Sequence, residues 1–551
     1  MKNIYSTLII LLVSITAFGQ RAEIRKADKL FSQRAYIDAA SAYEGVVDKN
    51  QEVLQNLGDA YFYTNQMQNA TEVYGTLFSR HEATVEPEYE FRYAHALRAT
   101  DQNDEADKYF ASYYDKDVDI NEFKESIIDS SNLYIYEPEM LPAENAASSD
   151  FGISYFGEDK ITFASTRNTA RPIYPWNKKP ALDLYTGEIS EEGEISNIVL
   201  FSDAINTDEH ESSAAFNKEG TIMYFDRTNE KRFKTEEGLR VANIRIYKAE
   251  LVDGEWTNVE ALPFTSEEYS TEHPALSPDG STLFFASDMP GGQGSFDLYK
   301  VAINEDGTYG TPENLGPGIN TEHREQFPFV SEDNVLYFAS DGHLGFGNLD
   351  VYKSEGDYTE AENLGSSINS GYDDFAFIIN EKDKKGFLTS NRSGNDNLYS
   401  FTRTKYVKKT RQIDIPHENK IYFEFDKSKV TEEYQKVLDK VIDILKGSEA
   451  TEIRIASHAD ARGTEEYNLK LSQRRADATK EYLVQHGISA GNITTKGYGE
   501  SQPVNDCTEE RGCTEAEYAK NRRSVFVVSN RNGSMDNNNM DDQEMEDQDE
   551  N

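Results

Sequence analysis

At 551 residues the chain exceeds what one hydrophobic core organises, and about three domains are expected. Its 33 tyrosines and 29 phenylalanines are spread along the whole length, which supplies apolar surface throughout and excludes wholesale disorder. A formal charge of −43 argues against nucleic acid and anionic membrane surfaces as general partners.

Residues 1–20, MKNIYSTLIILLVSITAFGQ, combine Lys2 with an apolar run from Leu8 to Phe18 and small residues at Ala17 and Gly19. The run is too short for a bilayer, so residues 1–19 are expected to be a secretory signal peptide. No cysteine lies near the cleavage region, and no later apolar run approaches transmembrane length. The mature protein is therefore expected to be exported, with neither a lipid-attachment site nor a direct membrane span.

Residues 20–136 have a helical pattern, with alanines and aromatics at i, i+3 and i+4. Three sets share a spacing of 12 and then 4 residues: Ala27, Ala39, Tyr43; Gly58, Ala70, Tyr74; and Ala94, Ala106, Phe110. Small residues facing each other let two helices pack closely, and the aromatic four positions later fills the gap to the next pair. These sets, with LGDAYF at 57–62, resemble tetratricopeptide repeats, although the proline usual near each repeat end is absent. The resemblance implies an all-α repeat solenoid with a concave protein-binding surface.

From 137 to 404 the chain turns to short β-rich runs punctuated by Gly, Asp, Asn and Pro. ITFASTR (161–167), MYFDRT (223–228), LFFASD (283–288), LYFASD (336–341) and GFLTSN (386–391) each precede a second signature, at LDLY (182), RIYK (245), FDLYK (296), LDVYK (349) and DNLYS (396). Spacings of 50 to 62 residues suit four strands per unit, so the five visible units predict an all-β propeller of five blades. Six blades, with a degenerate unit in 190–210 or one formed by the ends, is the alternative. Within HPALSPDGSTLFFASD, Ser277 to Gly280 predict a tight turn, Pro278 fixing φ and Gly280 accepting φ > 0. The repeats resemble TolB-type, WD-like propellers. Glu209–His210, Glu272–His273 and Glu322–His323 are expected to recur in register as structural features of the blades, and the acidic pair Asp373–Asp374 has no convergent partner that would make it a hydrolytic or metal site.

Residues 405–416 form a basic linker, and 417–530 a compact α/β domain of order β-α-β-α-β-β with helices on one side of a small mixed sheet. This domain holds 17 Lys plus Arg against 20 Asp plus Glu, a net of −3, and is the part suited to approach an anionic polymer. IYFEF (421–425) and TEIRIAS (451–457) are predicted strands, with NITTKGYG and SVFVV supplying the rest. The segment 431–446 places Tyr434, Val437, Leu438, Val441, Ile442 and Leu445 on one helical face, and a helix from Thr464 is expected to bury Leu471, Ala478, Tyr482 and Leu483. In SHADARGTEEYNLKLSQRRA (457–476), Asp460, a turn at Gly463 and a helix carrying Arg475 bring an acid and a guanidinium to a helix entrance. A zwitterionic α-centre needs such a pair, arginine's planar fork matches a carboxylate, and the N–H groups near Thr464 favour an anion. The alternative is that Asp460 caps the helix and Arg475 makes an ordinary surface ion pair.

The run SHADARGTEEYNLKLSQRRADATKEYL, preceded by FEFDKS and followed by KGYGESQPVND and NRRSVF, is similar to the OmpA-like peptidoglycan-binding domain. The resemblance implies binding of meso-diaminopimelate in the peptide stem of peptidoglycan. Asp460 would pair the ammonium and Arg475 the carboxylate, with Asn468, Asp426 and Arg522 as supporting contacts. Here HAD replaces the commoner HTD, which removes a hydroxyl but no charge. Arg474, about 100° round the helix, is expected to point elsewhere. No nucleophile or metal cluster joins His458 and Asp460, so binding without catalysis, cofactor or metal is expected. Cys507 and Cys513 are expected to form a disulfide in an exported protein, with free thiols as the alternative, and the acidic tail 531–551 is expected to be disordered.

Together these features lead to a multidomain, non-enzymatic scaffold of the periplasm, associated with the outer membrane and cell wall and holding outer-membrane or periplasmic protein partners. The combination resembles chains of Bacteroidota-type envelopes, some of which serve type IX secretion or gliding machinery, and the resemblance implies an anchoring role in such an assembly. A general Tol–Pal-like envelope-integrity protein is the runner-up, and a propeller-gated hydrolase the least favoured reading.

Overall fold

The computed structural model describes residues 20–114, 119–120, 123, 127, 134–142, 148–157, 159–190, 193–234, 240–405, 420–446, 451–507 and 512–530. The expected signal peptide, residues 406–416 of the expected linker and the acidic tail lie outside the described residues, while Lys405, expected to open the linker, ends the strand Asn397–Lys405. Two compact units divide the chain, Met1–Tyr406 and Val407–Asn551, so the helical and β-rich segments form one unit.

In the first unit, helices cover 20–32, Tyr36–Glu44, Gln51–Phe62, Met67–His81, Pro87–Ala99 and Asn103–Tyr114. Asn50 caps the third by accepting from Val53 N at 3.0 Å, and Pro87 starts the fifth where its missing N–H is not needed. All three small-small-aromatic sets are buried in one core. The Tyr74 ring lies where a Cβ on residue 58 would be, so glycine is what allows that approach. The Tyr74 hydroxyl donates to the buried Asp59 at 2.7 Å, and Arg92 pairs the same carboxylate at 2.8 Å.

The β-rich segment forms five four-stranded antiparallel sheets. The signatures beginning at 161, 223, 283, 336 and 386 fall in second strands, from Lys160–Ser165 to Lys385–Ser390, and the later signatures in third strands. Residues 190–210 supply Ile195–Leu200, the outer strand of the first sheet. The first strands are Asp150–Tyr155, Glu211–Phe216, Thr271–Leu276, Glu325–Val330 and Asp374–Asn380. They lie side by side in that order, and the fifth contacts the first. Tyr134–Met140 completes the fifth sheet by pairing with Asn397–Lys405, so chain from before the first sheet closes the last. That strand begins three residues before the expected boundary at 137.

Each first strand carries a bulge after its second residue, and the next residue has positive φ in all five: Gly152, Ser213, His273, Phe327 and Ala376. This alignment corrects the expectation for the three Glu-His pairs. Relative to the first strand residue, His210 lies one position before, His323 two before and His273 two after, so they do not share a register. The dipeptides repeat in sequence without occupying one position in the sheets.

In the second unit the sheet order is Lys420–Tyr422, Arg523–Asn530, Thr451–Ser457, Ile493–Gly497, with only the last pairing parallel. Leu438, Val441 and Ile442 of the helix Glu432–Lys446 share a core with Ala476 and Leu483 of the helix Glu465–Gln485. Leu445's side chain lies outside the described residues. Three expectations are corrected. The first strand ends at Tyr422, because the chain turns to bring Phe425 out and Asp426 into positive φ. Ala476, not Ala478, is the wholly buried alanine. A third helix, Glu515–Asn521, stands between the last two strands; seven residues are too few for apolar periodicity, but Thr514 and Glu517 form a capping box. Among the described residues no helix is long and apolar enough to cross a membrane.

Candidate functional site

The loop after Thr451–Ser457 and the start of Glu465–Gln485 enclose a cavity of about 300 Å³. Gly463, at φ +127°, makes the turn, where a Cβ would stand 3.2 Å from Asn468 Oδ1. Thr464 caps the helix by accepting from Tyr467 N, so Asp460 is not the cap.

Asp460, Arg475, Asp426 and Arg522 all line the cavity. Asp460 and Arg475 are not hydrogen-bonded to each other. The Asp460 carboxylate accepts from Arg522 at 2.9 Å and from Arg462 at 2.7 Å, with the Arg462 backbone N–H at 3.2 Å. Burial alone would raise its carboxyl, but the two guanidiniums outweigh that and hold it below the usual range. Arg475 is wholly buried beside the Phe423 ring and donates to three backbone carbonyls, of Lys427 and His458 at 2.9 Å and of Glu424 at 3.3 Å. Burial lowers it to about 10, which leaves it charged at neutral pH. Three of its five N–H groups are thereby engaged.

Asn468 stands behind the cavity, donating to the Asp460 carbonyl at 3.1 Å and to Glu500. Asp426 is the exposed acid, accepting from the Tyr467 hydroxyl. Arg522 is locked by Phe423 O, Asp460 and Glu515, each at 2.9 Å. Arg474 lies over the Tyr467 ring outside the cavity lining. His458 is buried against Tyr498 and lowered by burial to about 3, hence neutral.

Sequence reasoning missed Arg462, which lines the cavity between the rings of Phe425 at 4.1 Å and Tyr518 at 4.3 Å. Its signal was its place two residues after Asp460; its aromatic partners come from segments remote in sequence. With three guanidiniums and two carboxylates the lining carries net positive charge, suited to a carboxylate-bearing ligand with a smaller cationic part.

Cys507 and Cys513 are bonded, with Cα atoms 5.8 Å apart. Among the described residues the one group close enough to hold a metal ion is these two cysteines with Glu517, and two bonded sulfurs offer no thiolate.

Residues 422–516 match the OmpA family. The peptidoglycan-associated lipoprotein of Pasteurella multocida is 44% identical over 109 residues, 20% of this chain and 69% of that relative. The structure of the peptidoglycan-associated lipoprotein from Burkholderia pseudomallei is 34% identical and covers 20% of this chain and 89% of its own, with a TM-score of 0.19. A putative TolB from Agrobacterium tumefaciens is 16% identical over 47% of this chain and 71% of its own, with a TM-score of 0.26. Through this C-terminal domain the chain belongs to the OmpA family.

Proposed function

We propose that the protein is a non-enzymatic envelope scaffold. Its C-terminal domain binds the diaminopimelate stem of peptidoglycan, and its first unit holds outer-membrane or periplasmic protein partners, as in a secretion or gliding assembly of the type IX kind. The observation that carries the peptidoglycan reading is Arg475, a buried guanidinium held by three carbonyls in the lining of a cavity that also holds Asp426 and Asp460. A ligand carboxylate takes that fork. The ammonium of the same centre meets Asp426, the exposed acid, and the remaining acceptor capacity of Asp460. Relatives of this domain named peptidoglycan-associated lipoproteins support the reading and an outer-membrane, cell-wall location. In the first unit, five sheets with side-by-side first strands act as a five-bladed propeller, and the helices as a tetratricopeptide-like array against which partners dock.

Retention on purified sacculi tests the first half. The full chain is expected to sediment with them, and Asp460→Ala and Arg475→Ala to lose at least tenfold in retention, with folding checked by circular dichroism. Asp426→Asn, at an exposed position, is expected to weaken retention without unfolding. Undiminished retention by all three variants would refute the site, and release of muropeptides would replace binding with catalysis.

A further inference from the structure

Within the first unit a cavity of about 1020 Å³ lies between the helices and the loops of the sheets. The helices are seated on those loops by specific contacts. Trp176 donates its indole N–H to Tyr63 O at 3.0 Å, His95 Nδ1 lies 2.7 Å from Gly347 O, and the Phe91 ring stacks on His323 at 3.8 Å. Part of the wall is aromatic, with Trp176 edge-on to Tyr36 at 4.7 Å and 6.1 Å from Tyr63.

The charged lining is unbalanced, with six carboxylates against four basic side chains. Two of the basic groups are already committed: Arg92 to Asp59 and Glu88, and Arg324 to Asp341 at 2.7 Å. Lys179 donates to Ser149 Oγ at 2.6 Å and Asn395 Oδ1 at 2.8 Å and also acts on the Asp396 carboxylate, while Arg34, the fourth, is exposed. Glu272, 4% exposed, has the neutral amide of Gln326 as its hydrogen-bond donor, and burial raises its carboxyl to about 7. Burial likewise raises Asp396. A second, independent feature points the same way. Asn348, 6% exposed and lining the cavity, gives its Nδ2 to Asp373 at 2.7 Å and leaves its Oδ1 without a donor, as does the buried Oδ1 of Asn65. The lining therefore has more acids than bases and two amide oxygens without a donor, even with Arg324 acting on Glu272 and Lys179 on Asp396. A guanidinium or ammonium donates without accepting, lies favourably against aromatic faces and supplies the missing countercharge.

We propose that this cavity binds the arginine or lysine side chain of a peptide segment from a protein partner, with the cation received by the acids and the aromatic wall of the lining. The inference rests on the reading of the first unit as the partner-binding one, and names the chemistry it selects. Calorimetric titration of the full chain with acetylated, amidated tripeptides of Gly-X-Gly form tests it, X being arginine, lysine, norleucine or glutamate. Arginine and lysine peptides are expected to bind at least tenfold more tightly than the other two. At least one of Glu272→Gln and Asp396→Asn is expected to weaken the arginine peptide about tenfold, and both to leave retention on sacculi unchanged. No measurable binding, equal affinity for the norleucine peptide, or full affinity in both variants would overturn the proposal. The peptide comparison uses the unaltered chain, so a variant that fails to fold does not decide it. Sacculus retention reports separately on the C-terminal domain.

Discussion

Arg475 serves two ends at once, which makes it hard to probe. Its guanidinium satisfies three backbone carbonyls in a region where an unpaired acceptor is costly, and the same residue lines the cavity. Arg475→Lys keeps the charge but not the fork. One ammonium cannot meet three carbonyls spread around a plane, so this variant is expected to destabilise the C-terminal unit by roughly 2–4 kcal/mol in urea unfolding. Arg462→Ala, at a half-exposed side chain, is expected to cost less than about 1 kcal/mol. Equal midpoints for the two variants would mean that the carbonyl network does not hold the loop. The residue types and order at this site were legible in SHADARG and SQRRA, because a loop followed by a helix brings them to one entrance. The pairing was not legible, since the partners that take up Asp460, Arg462 and Arg522, come from the loop's own backbone turn and from the far end of the domain.

At the scale of elements, the visible repeat and the hidden one lie on different strands. The signatures fell on second and third strands, such as Leu336–Ser340 and Asp350–Ser354, whose every residue is buried, so that apolar runs survive repetition. The first strands carry no shared signature, because the bulge breaks the period of two and their opening residues differ: Asp150, Glu211, Thr271, Glu325 and Asp374. The polar chemistry behind these positions is nonetheless similar. Asp150 pairs with Arg167 at 2.9 Å, Glu211 with Arg227 at 2.8 Å, and Asp374 with Arg392. The positive-φ site that follows is held by serine, histidine, phenylalanine and alanine in four sheets, so the surrounding ladder tolerates a side chain there. Gly152→Ala is therefore expected to fold, at a cost of about 1–2 kcal/mol in thermal or denaturant unfolding, part of it from Ser213 Oγ, which lies 3.1 Å from the added Cβ. A cost above about 4 kcal/mol would mean that the first sheet's bulge differs from the other four.

Across the whole molecule, Glu325 and Glu272 of the first unit and Asp460 of the second respond to pH in opposite senses. In the first unit, burial raises Glu325 to about 8 and Glu272 to about 7. A carboxyl whose folded value is raised binds its proton more tightly in the folded state, so its contribution to stability is lost as pH rises from the unfolded value through the folded one. Buried histidines work against this at lower pH: His95 and His273, lowered by burial to about 3, favour the folded state increasingly as pH climbs to the ordinary histidine value near 6.5. Above that value the histidine contribution is complete and the carboxyls continue to ionise. Thermal stability of the first unit is thus expected to fall between pH 6.5 and 8.5, with Glu325 alone accounting for on the order of 2 kcal/mol. In the second unit Asp460, held below its unfolded value by Arg462 and Arg522, contributes stability present above the unfolded carboxyl value and lost as pH falls through the folded one. Scanning calorimetry at several pH values should then resolve two transitions, the first unit's moving down in temperature above pH 6.5 and the second unit's moving down only in acid. Glu325→Gln should flatten the alkaline slope of the first transition and leave the second in place. A single transition with no alkaline slope would show that these carboxyls ionise in the folded protein without cost.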